Sequence, residues 1–253
     1  MLETFCLRLA AGLALSLLVL PARQVSPRFS RTHLLVVLCL IVTASILAWN
    51  TATEATALWA ALGAAAGAAV VGFWLRSAES IAVGTLAIVL TSVALLVALM
   101  NLPGTRTGSS SWPGILADEL SAAAFLGVAT TAMLMGHWYL IAPTMSLEPL
   151  LRLLATLSVA NLLRLLVSAV ALWQTLDNGI TLDRLAWLWL SVRWIAGLLI
   201  PLGLVWMAWE SARIRSTQSA TGILYVVVIF VFFGELTDQI LLGHLAELGG
   251  GHA

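Results

Sequence analysis

Charged residues are scarce in this chain of 253 residues. They make up 9% of the sequence, whereas hydrophobic residues make up 61%, and the mean hydropathy is +1.02. Soluble domains are about 25% charged and about 45–50% apolar, so a water-soluble protein of this composition could not cover its surface. The lipid bilayer is therefore the expected surrounding of the chain. The net charge is zero and the basic residues are scattered, so the sequence predicts no nucleic-acid partner.

Cysteine is also rare, and its placement predicts neither a redox pair nor a metal site. Cys6 and Cys39 both lie inside apolar runs, without the spacing of metal ligands or of a CxxC motif. We interpret them as small buried hydrophobic residues. The GxSxG, HExxH and Walker A motifs are missing as well. The sequence therefore names no reaction and no catalytic residue.

Long apolar runs predict an all-α fold. A helix needs roughly 20 mostly apolar residues to cross a bilayer, and Pro, Gly, Asn and charged clusters separate the runs. We expect residues 1–253 to form a single transmembrane helical domain, a polytopic bundle of about eight helices. The runs are 5–22, 33–50, 56–75, 80–100, 120–142, 152–174, 185–209 and 219–243.

The first run resembles a signal peptide in length, but its flanks favour a retained helix. The residues before it, Met-Leu-Glu-Thr, are not basic, and the arginines follow the run instead of preceding it. Across the chain, arginines near helix ends divide seven to three between the two sides of the predicted membrane. By the positive-inside rule, the odd-numbered loops are cytoplasmic and both termini lie outside. The seven are Arg23, Arg28, Arg31, Arg76, Arg152, Arg213 and Arg215, and the three are Arg8, Arg106 and Arg184.

The third run carries glycines at close spacing. Gly63 and Gly67 are four residues apart, and Gly72 follows. Small residues at this spacing let two helix backbones approach closely. The pattern predicts a packed helix.

Ionisable residues inside the apolar runs are the most informative ones, because each costs about 2.5–3.5 kcal/mol on insertion scales. Arg164 lies in the middle of the sixth run, on the same face as Asn161. Arg193 lies in the seventh run, and Glu235 and Asp238 share a face of the eighth. Opposite charges at one depth are expected to pair. Three interpretations remain open: an interhelical network that fixes packing, a quinone, proton or substrate site, and side chains that reach an interface.

Histidines suggest a second candidate site near the predicted cytoplasmic side. His33 begins the second run, and His137 lies in the fifth run between Gly136 and Trp138, with Tyr139 next. Imidazole can bond a quinone oxygen, relay a proton or ligate haem iron, and a flat ligand needs apolar walls with a few placed polar groups. We expect any cofactor at His137, His33 and Tyr139, with quinone favoured over haem b. Ordinary hydrogen-bonded histidines are the alternative.

Three sequence blocks carry a resemblance. Arg31-Thr-His-Leu-Leu35, Gly136-His-Trp-Tyr-Leu140 and the block at 218–225 look like those of uncharacterised polytopic proteins of bacterial inner membranes. In helix number and orientation, the chain resembles the membrane-anchor subunits of the DMSO and polysulfide reductase type. That resemblance implies electron exchange with quinones at an intramembrane site built from His, Asp, Glu and Arg.

Three functions are therefore compatible with the sequence. The first is a quinone-interacting or structural anchor subunit of a respiratory or electron-transfer complex, with other redox subunits as partners. The second is a transporter of a small solute, ion or metal that uses the buried charges as its coupling site. The third is an assembly subunit in which those charges only fix packing. The expected location is a bacterial inner membrane.

Overall fold

The computed structural model describes residues 1–21, 24–49, 52, 55–75, 81–102, 112–141, 146–179 and 182–250. Within these residues the chain forms helices and no strands, and eight spans are long and apolar enough to cross a membrane. The all-α polytopic bundle predicted from the sequence is confirmed. The helices are α1 (Leu2–Val19), α2 (Pro27–Ala48), α3 (Thr56–Leu75), α4 (Ile81–Asn101), α5 (Trp112–Ile141), α6 (Glu148–Asp177), α7 (Arg184–Val192), α8 (Ile200–Arg213) and α9 (Thr217–Gly250).

Helices α7 and α8 belong to one continuous span, Arg184–Arg213, joined by a π-helical segment, Arg193–Leu199. This segment comes just before Pro201, which has no N–H to donate to a carbonyl of the preceding turn. Short π-helical segments are rare, and they occur frequently at functional sites. The Leu198 carbonyl of the segment accepts a hydrogen bond from Asn161 Nδ2 at 3.2 Å, which ties α6 to this span.

Side-chain caps mark the start of two helices. Ser26 accepts a hydrogen bond from the Phe29 N–H at 3.3 Å, with Pro27 in the first turn of α2. Asp183 accepts from the Ala186 N–H at 2.8 Å at the start of α7, and its carboxylate also lies 3.1 Å from His244 Nε2. The Ala186 N–H, with His244 second, holds the pKa of the Asp183 carboxyl below its usual value. The contacts of Asp183 fix the start of α7 against the last turns of α9.

Helices α1 and α5 form the centre of the bundle. Helix α1 packs against α5, α2 and α4, and α5 packs also against α6 and α9. Gly12 and Gly127 lie at the crossing of α1 and α5, where a Cβ on either one would overlap the backbone of the other helix. The two backbones therefore touch, as small residues permit.

The glycines of α3 have a different surrounding. Helix α3 is packed against α4 and α2, but a Cβ on Gly63 or Gly67 would meet nothing within 4 Å. Only Gly72 lies close to neighbours, near Leu34 and Ala87. The predicted packed helix is present, but its contacts do not depend on the Gly63–Gly67 pair.

The largest difference from the predicted helix bounds is at α5. It begins at Trp112, whereas the sequence predicted residue 120. The earlier start places Asp118 and Glu119 inside the helix, six and seven residues from its beginning, at a depth of about 9 Å. The side of the membrane on which the termini lie stays a prediction, and Arg23, Arg76 and Arg106, on which it partly depends, fall outside the described residues.

Candidate functional site

Seven charged side chains meet inside the bundle, in the half where α5 and α7 begin. We call them the ionic cluster. All seven side chains are nearly or fully buried except that of Asp118, which is 30% exposed. The members are Arg8 on α1, Asp118 and Glu119 on α5, Arg164 on α6, Arg193 at the start of the π-helical segment, and Glu235 and Asp238 on α9.

Arg164 is the central cation of the cluster, with none of its surface exposed. Its Nε and Nη2 donate to the two carboxylate oxygens of Glu235 at 2.8 and 2.9 Å. The same Nη2 donates to Asp238 Oδ2 at 2.7 Å, and Nη1 donates to Asp118 Oδ1. One guanidinium thus connects α5, α6 and α9 by charge-assisted hydrogen bonds.

Arg8 forms the second centre. Its Nε and Nη2 donate to Glu119 at 2.8 and 3.0 Å, and Nη2 also donates to Asp118 Oδ2 at 2.8 Å. Its Nη1 is buried without a hydrogen-bond partner. That atom lies 3.6 Å from Glu235 Oε2 and 3.8 Å from Asp238 Oδ2, so it faces the carboxylates of the last helix.

Arg193 closes the cluster on the side of the π-helical segment. Its Nε lies 2.8 Å from Asp238 Oδ1, and Nη1 donates to the Gly234 carbonyl at 3.0 Å. Its Nη2 donates to Ser168 Oγ at 2.9 Å. The segment reaches α9 because Gly197 lies directly against Gly234, where a Cβ on either residue would overlap the other.

The structure joins all four ionisable residues that the sequence singled out, Arg164, Arg193, Glu235 and Asp238. Asn161 lies outside the cluster, where it bonds Leu198, and its side-chain oxygen is buried without a partner.

Sequence reasoning missed Arg8, Asp118 and Glu119. The arginine count predicts that Arg8 lies at the flank of the first helix, but it is only 2% exposed, so that prediction is wrong. The predicted runs leave both carboxylates before the start of the fifth helix. Their signal was nevertheless present: Arg8 interrupts an apolar run, and Asp118-Glu119 directly precedes one.

The three residues of the predicted cofactor site have separate partners. His33 is buried against Phe29, with ring centroids 4.3 Å apart, and its Nε2 has no hydrogen-bond partner. His137 is exposed on the outside of the bundle, and its Nδ1 lies 3.4 Å from Tyr225 Oη. Tyr139 is buried and donates its hydroxyl to the Ser146 carbonyl. No described contact joins these side chains, so a site shared among them stays a prediction.

A cavity of about 320 Å³ lies directly above the ionic cluster, between α5, α6, α7 and α9. Its floor is formed by Asp118, Ser168, Arg193 and Asp238. It extends to the bundle end, where residues from α5, α9 and the segment before α7 line it. Its walls are mostly apolar, and they include Ile115, Leu166, Val170, Leu190, Trp194, Leu241 and Leu245.

The cavity combines two properties of small-molecule sites, namely apolar walls and a few converging polar groups. Asp118 is the most exposed charge at its floor, while Arg193 is 3% and Asp238 11% exposed. The charge that a ligand meets first is therefore acidic. Among the described residues, no group of three or more His, Cys, Asp and Glu side chains is arranged to hold a metal ion.

No protein-family model, curated protein or solved structure matches the chain.

Proposed function

We propose that the protein is a quinone-interacting subunit of an electron-transfer complex in a bacterial inner membrane, and that the cavity above the ionic cluster is its quinone site. The observation that carries the proposal is the apolar cavity whose floor is made of Ser168, Arg193, Asp238 and Asp118. A quinone has the matching shape, with a flat polar head and an apolar tail. Its site in this proposal is the cavity, since His137 faces outward.

The charges at the floor select among amphipathic ligands. A lipid phosphate would face the exposed carboxylate of Asp118, and like charges in a region of low dielectric repel strongly. The neutral head of a quinone avoids that repulsion. It can accept hydrogen bonds from a hydroxyl or guanidinium group when oxidised, and donate to a carboxylate when reduced.

Ser168 and Asp118 have complementary roles in this proposal. The Ser168 oxygen accepts from Arg193, and in the described part of the chain no residue accepts the hydrogen of its own hydroxyl. That hydrogen is free to donate to a quinone carbonyl. Asp118 can accept a proton from a quinol hydroxyl, since it is the most exposed carboxylate at the floor. A quinol releases two electrons with its two protons. Asp118 takes one proton, water at the open end of the cavity takes the other, and a redox partner subunit would take up the electrons.

The test uses a side chain that fills the cavity. Ala171 on α6 lines the cavity, and Ala155 is an exposed alanine on the same helix that is outside its lining. We expect quinone to co-purify with the wild-type protein and with Ala155→Trp, but not with Ala171→Trp, as measured by mass spectrometry of extracted lipids. Equal quinone content in both variants, or none in the wild type, would contradict the proposal.

The exposed acidic charge also favours a second candidate, a transporter of small cations. Carboxylates at the end of an open cavity are typical of cation pathways within membranes. Reconstituted vesicles distinguish the two functions. A transporter would carry a labelled cation across the vesicle membrane in the absence of quinone, and Ala171→Trp would block that flux.

A further inference from the structure

The ionic cluster does not balance its charge. It contains three guanidinium groups and four carboxyl groups. With every group ionised, the cluster would carry one net negative charge. Guanidinium remains protonated in proteins, so only a carboxyl group can change its charge. An uncompensated carboxylate in a medium of low dielectric is costly, and it takes up a proton instead.

We infer that the ionic cluster retains one exchangeable proton, held by Glu119 and reached from the cavity through Asp118. The inference concerns a proton only. It holds whichever ligand the cavity takes, so it goes beyond the proposed quinone function.

The four carboxyl groups differ in the number of arginines that they contact. Glu235 lies within 3.6 Å of Arg8, Arg164 and Arg193. Asp238 contacts the same three arginines, with Arg8 at 3.8 Å.

The two carboxyl groups on α5 have fewer cationic neighbours. Asp118 contacts Arg8 and Arg164. Among the arginines that the structure describes, Glu119 contacts Arg8 alone, and it is only 1% exposed. Glu119 therefore combines the weakest stabilisation by cations with nearly complete burial. Both effects favour the protonated form, so Glu119 is the carboxyl group among the four that holds the proton.

The helices around α5 add one further cation near Glu119, that of Arg164, and two further carboxyl groups that oppose its ionisation. Helix α1 contributes Arg8, α6 contributes Arg164, and α9 contributes Glu235 and Asp238. Helix α4 also packs on α5, and it contains no ionisable residue between Ile81 and Asn101.

Asp118 connects Glu119 with the cavity. The Nη2 atom of Arg8 donates to Glu119 Oε1 and to Asp118 Oδ2, so the two carboxyl groups share one nitrogen. Asp118 also lines the cavity. In the transfer, the O–H bond of Glu119 breaks and an O–H bond forms on Asp118, which then releases the proton into the cavity. The number of protons in the cluster falls by one, and no electron moves.

The experiment compares Glu119→Gln with Glu235→Gln. The two residues are matched, since each is 1% exposed and each accepts from both ends of an arginine fork. Infrared spectra of the purified full chain at pH 8 report a neutral carboxylic acid by its carbonyl stretch, which shifts in D₂O. We expect this band in the wild type and its loss in Glu119→Gln. Glu148→Gln changes an exposed carboxylate outside the cluster and should keep the band. Glu235→Gln leaves three arginines and three carboxyl groups, so the charge balance predicts that Glu119 gives up its proton and that the band is lost there as well.

Stability gives an independent measurement. Glutamine resembles a protonated glutamate, so Glu119→Gln should melt close to the wild type. Glu235→Gln removes a charge that three arginines require, and its Tm should fall by about 10 °C. If Glu235→Gln does not accumulate, the wild type and Glu119→Gln still test the inference by their infrared bands. A wild type without the band, a band that persists in Glu119→Gln, or equal destabilisation by both changes would overturn the inference.

The route has a test of its own. In Ala171→Trp, which fills the cavity and leaves all seven charges in place, the Glu119 band should exchange with D₂O about tenfold more slowly, because the way from the cavity to Asp118 is closed. Exchange at the rate of the wild type would refute the route through the cavity and Asp118.

Discussion

Every basic side chain of the protein is an arginine, twelve in all, and three of them lie in the ionic cluster. Guanidinium presents five donors in a planar fork, so one side chain can serve several carboxylates. Arg164 does so for Asp118, Glu235 and Asp238. An ammonium group at the same place would offer one nitrogen only. The hydrogen bonds of the cluster therefore require an arginine at this position.

Replacing Arg164 tests this dependence. Arg164→Gln leaves three carboxylates, two of them buried, without their shared cation, and removing one partner of a buried pair costs roughly 3–5 kcal/mol. Thermal unfolding in detergent should show a strongly reduced Tm. Arg152→Gln is the control on the same helix, since the Arg152 side chain is exposed and, among the described residues, pairs with Glu148 alone. An exposed pair contributes about 0–1 kcal/mol, so this variant should melt like the wild type.

A compensating change distinguishes a cluster from a single pair. If Arg164 paired with Glu235 alone, adding Glu235→Gln to Arg164→Gln would restore most of the lost stability. The structure gives Arg164 two further partners, Asp118 and Asp238. In the double variant both of them would still lack its guanidinium group. We therefore expect only a partial recovery of Tm, and a full recovery would contradict the arrangement of the cluster.

At the scale of the helices, the crossing of α1 and α5 sets the position of Arg8 relative to Asp118 and Glu119. Gly127→Ala inserts a methyl group where the backbone of Gly12 lies. Overpacking of this kind costs about 1–3 kcal/mol, and it should separate the two helices and weaken the pairing of Arg8. Gly63→Ala is the matched control, because its new Cβ would meet nothing within 4 Å. The measurement is the Tm of each variant, and equal values would show that the crossing tolerates a side chain.

The helices themselves could be predicted from the sequence, because length and hydropathy decide which segments cross a bilayer. The start of α5 could not be predicted in this way. Asp118 and Glu119 lower the local hydropathy. An apolar run that excludes charged residues therefore begins only after them, at residue 120. The two carboxylates are stable inside the helix because Arg8, more than one hundred residues earlier in the chain, bonds both of them, and Arg164 bonds Asp118 as well.

Part of the candidate site could also be predicted from hydropathy. Arg164 lies in the middle of an apolar run. The free-energy cost of placing a charge there marks it as a site residue even before its partners are known. The cavity, by contrast, is lined by residues of four helices. No spacing within one helix encodes how four helices pack around a common space.

At the scale of the whole molecule, the orientation in the membrane stays a prediction, and the burial of Arg8 makes its basis stronger. With Arg8 removed from the loop arginines, the division between the two sides changes from seven against three to seven against two. The positive-inside rule then places the cavity opening and both termini on the outer face.

Cysteine labelling tests this orientation in a background without Cys6 and Cys39. Asn178→Cys lies at the end of α6 near the cavity opening, and Gln218→Cys lies near the start of α9 at the opposite end of the bundle. A membrane-impermeant maleimide added to whole spheroplasts should label the cysteine at 178 and spare the one at 218. The reverse pattern would place the cavity on the cytoplasmic face.

The order of the cluster residues along the chain has a consequence for synthesis in the membrane. As each residue joins the cluster in turn, the running charge of the group is never larger than one unit of either sign. No stage of insertion therefore leaves two unbalanced charges of the same sign in the nascent bundle. The order is Arg8, Asp118, Glu119, Arg164, Arg193, Glu235 and Asp238.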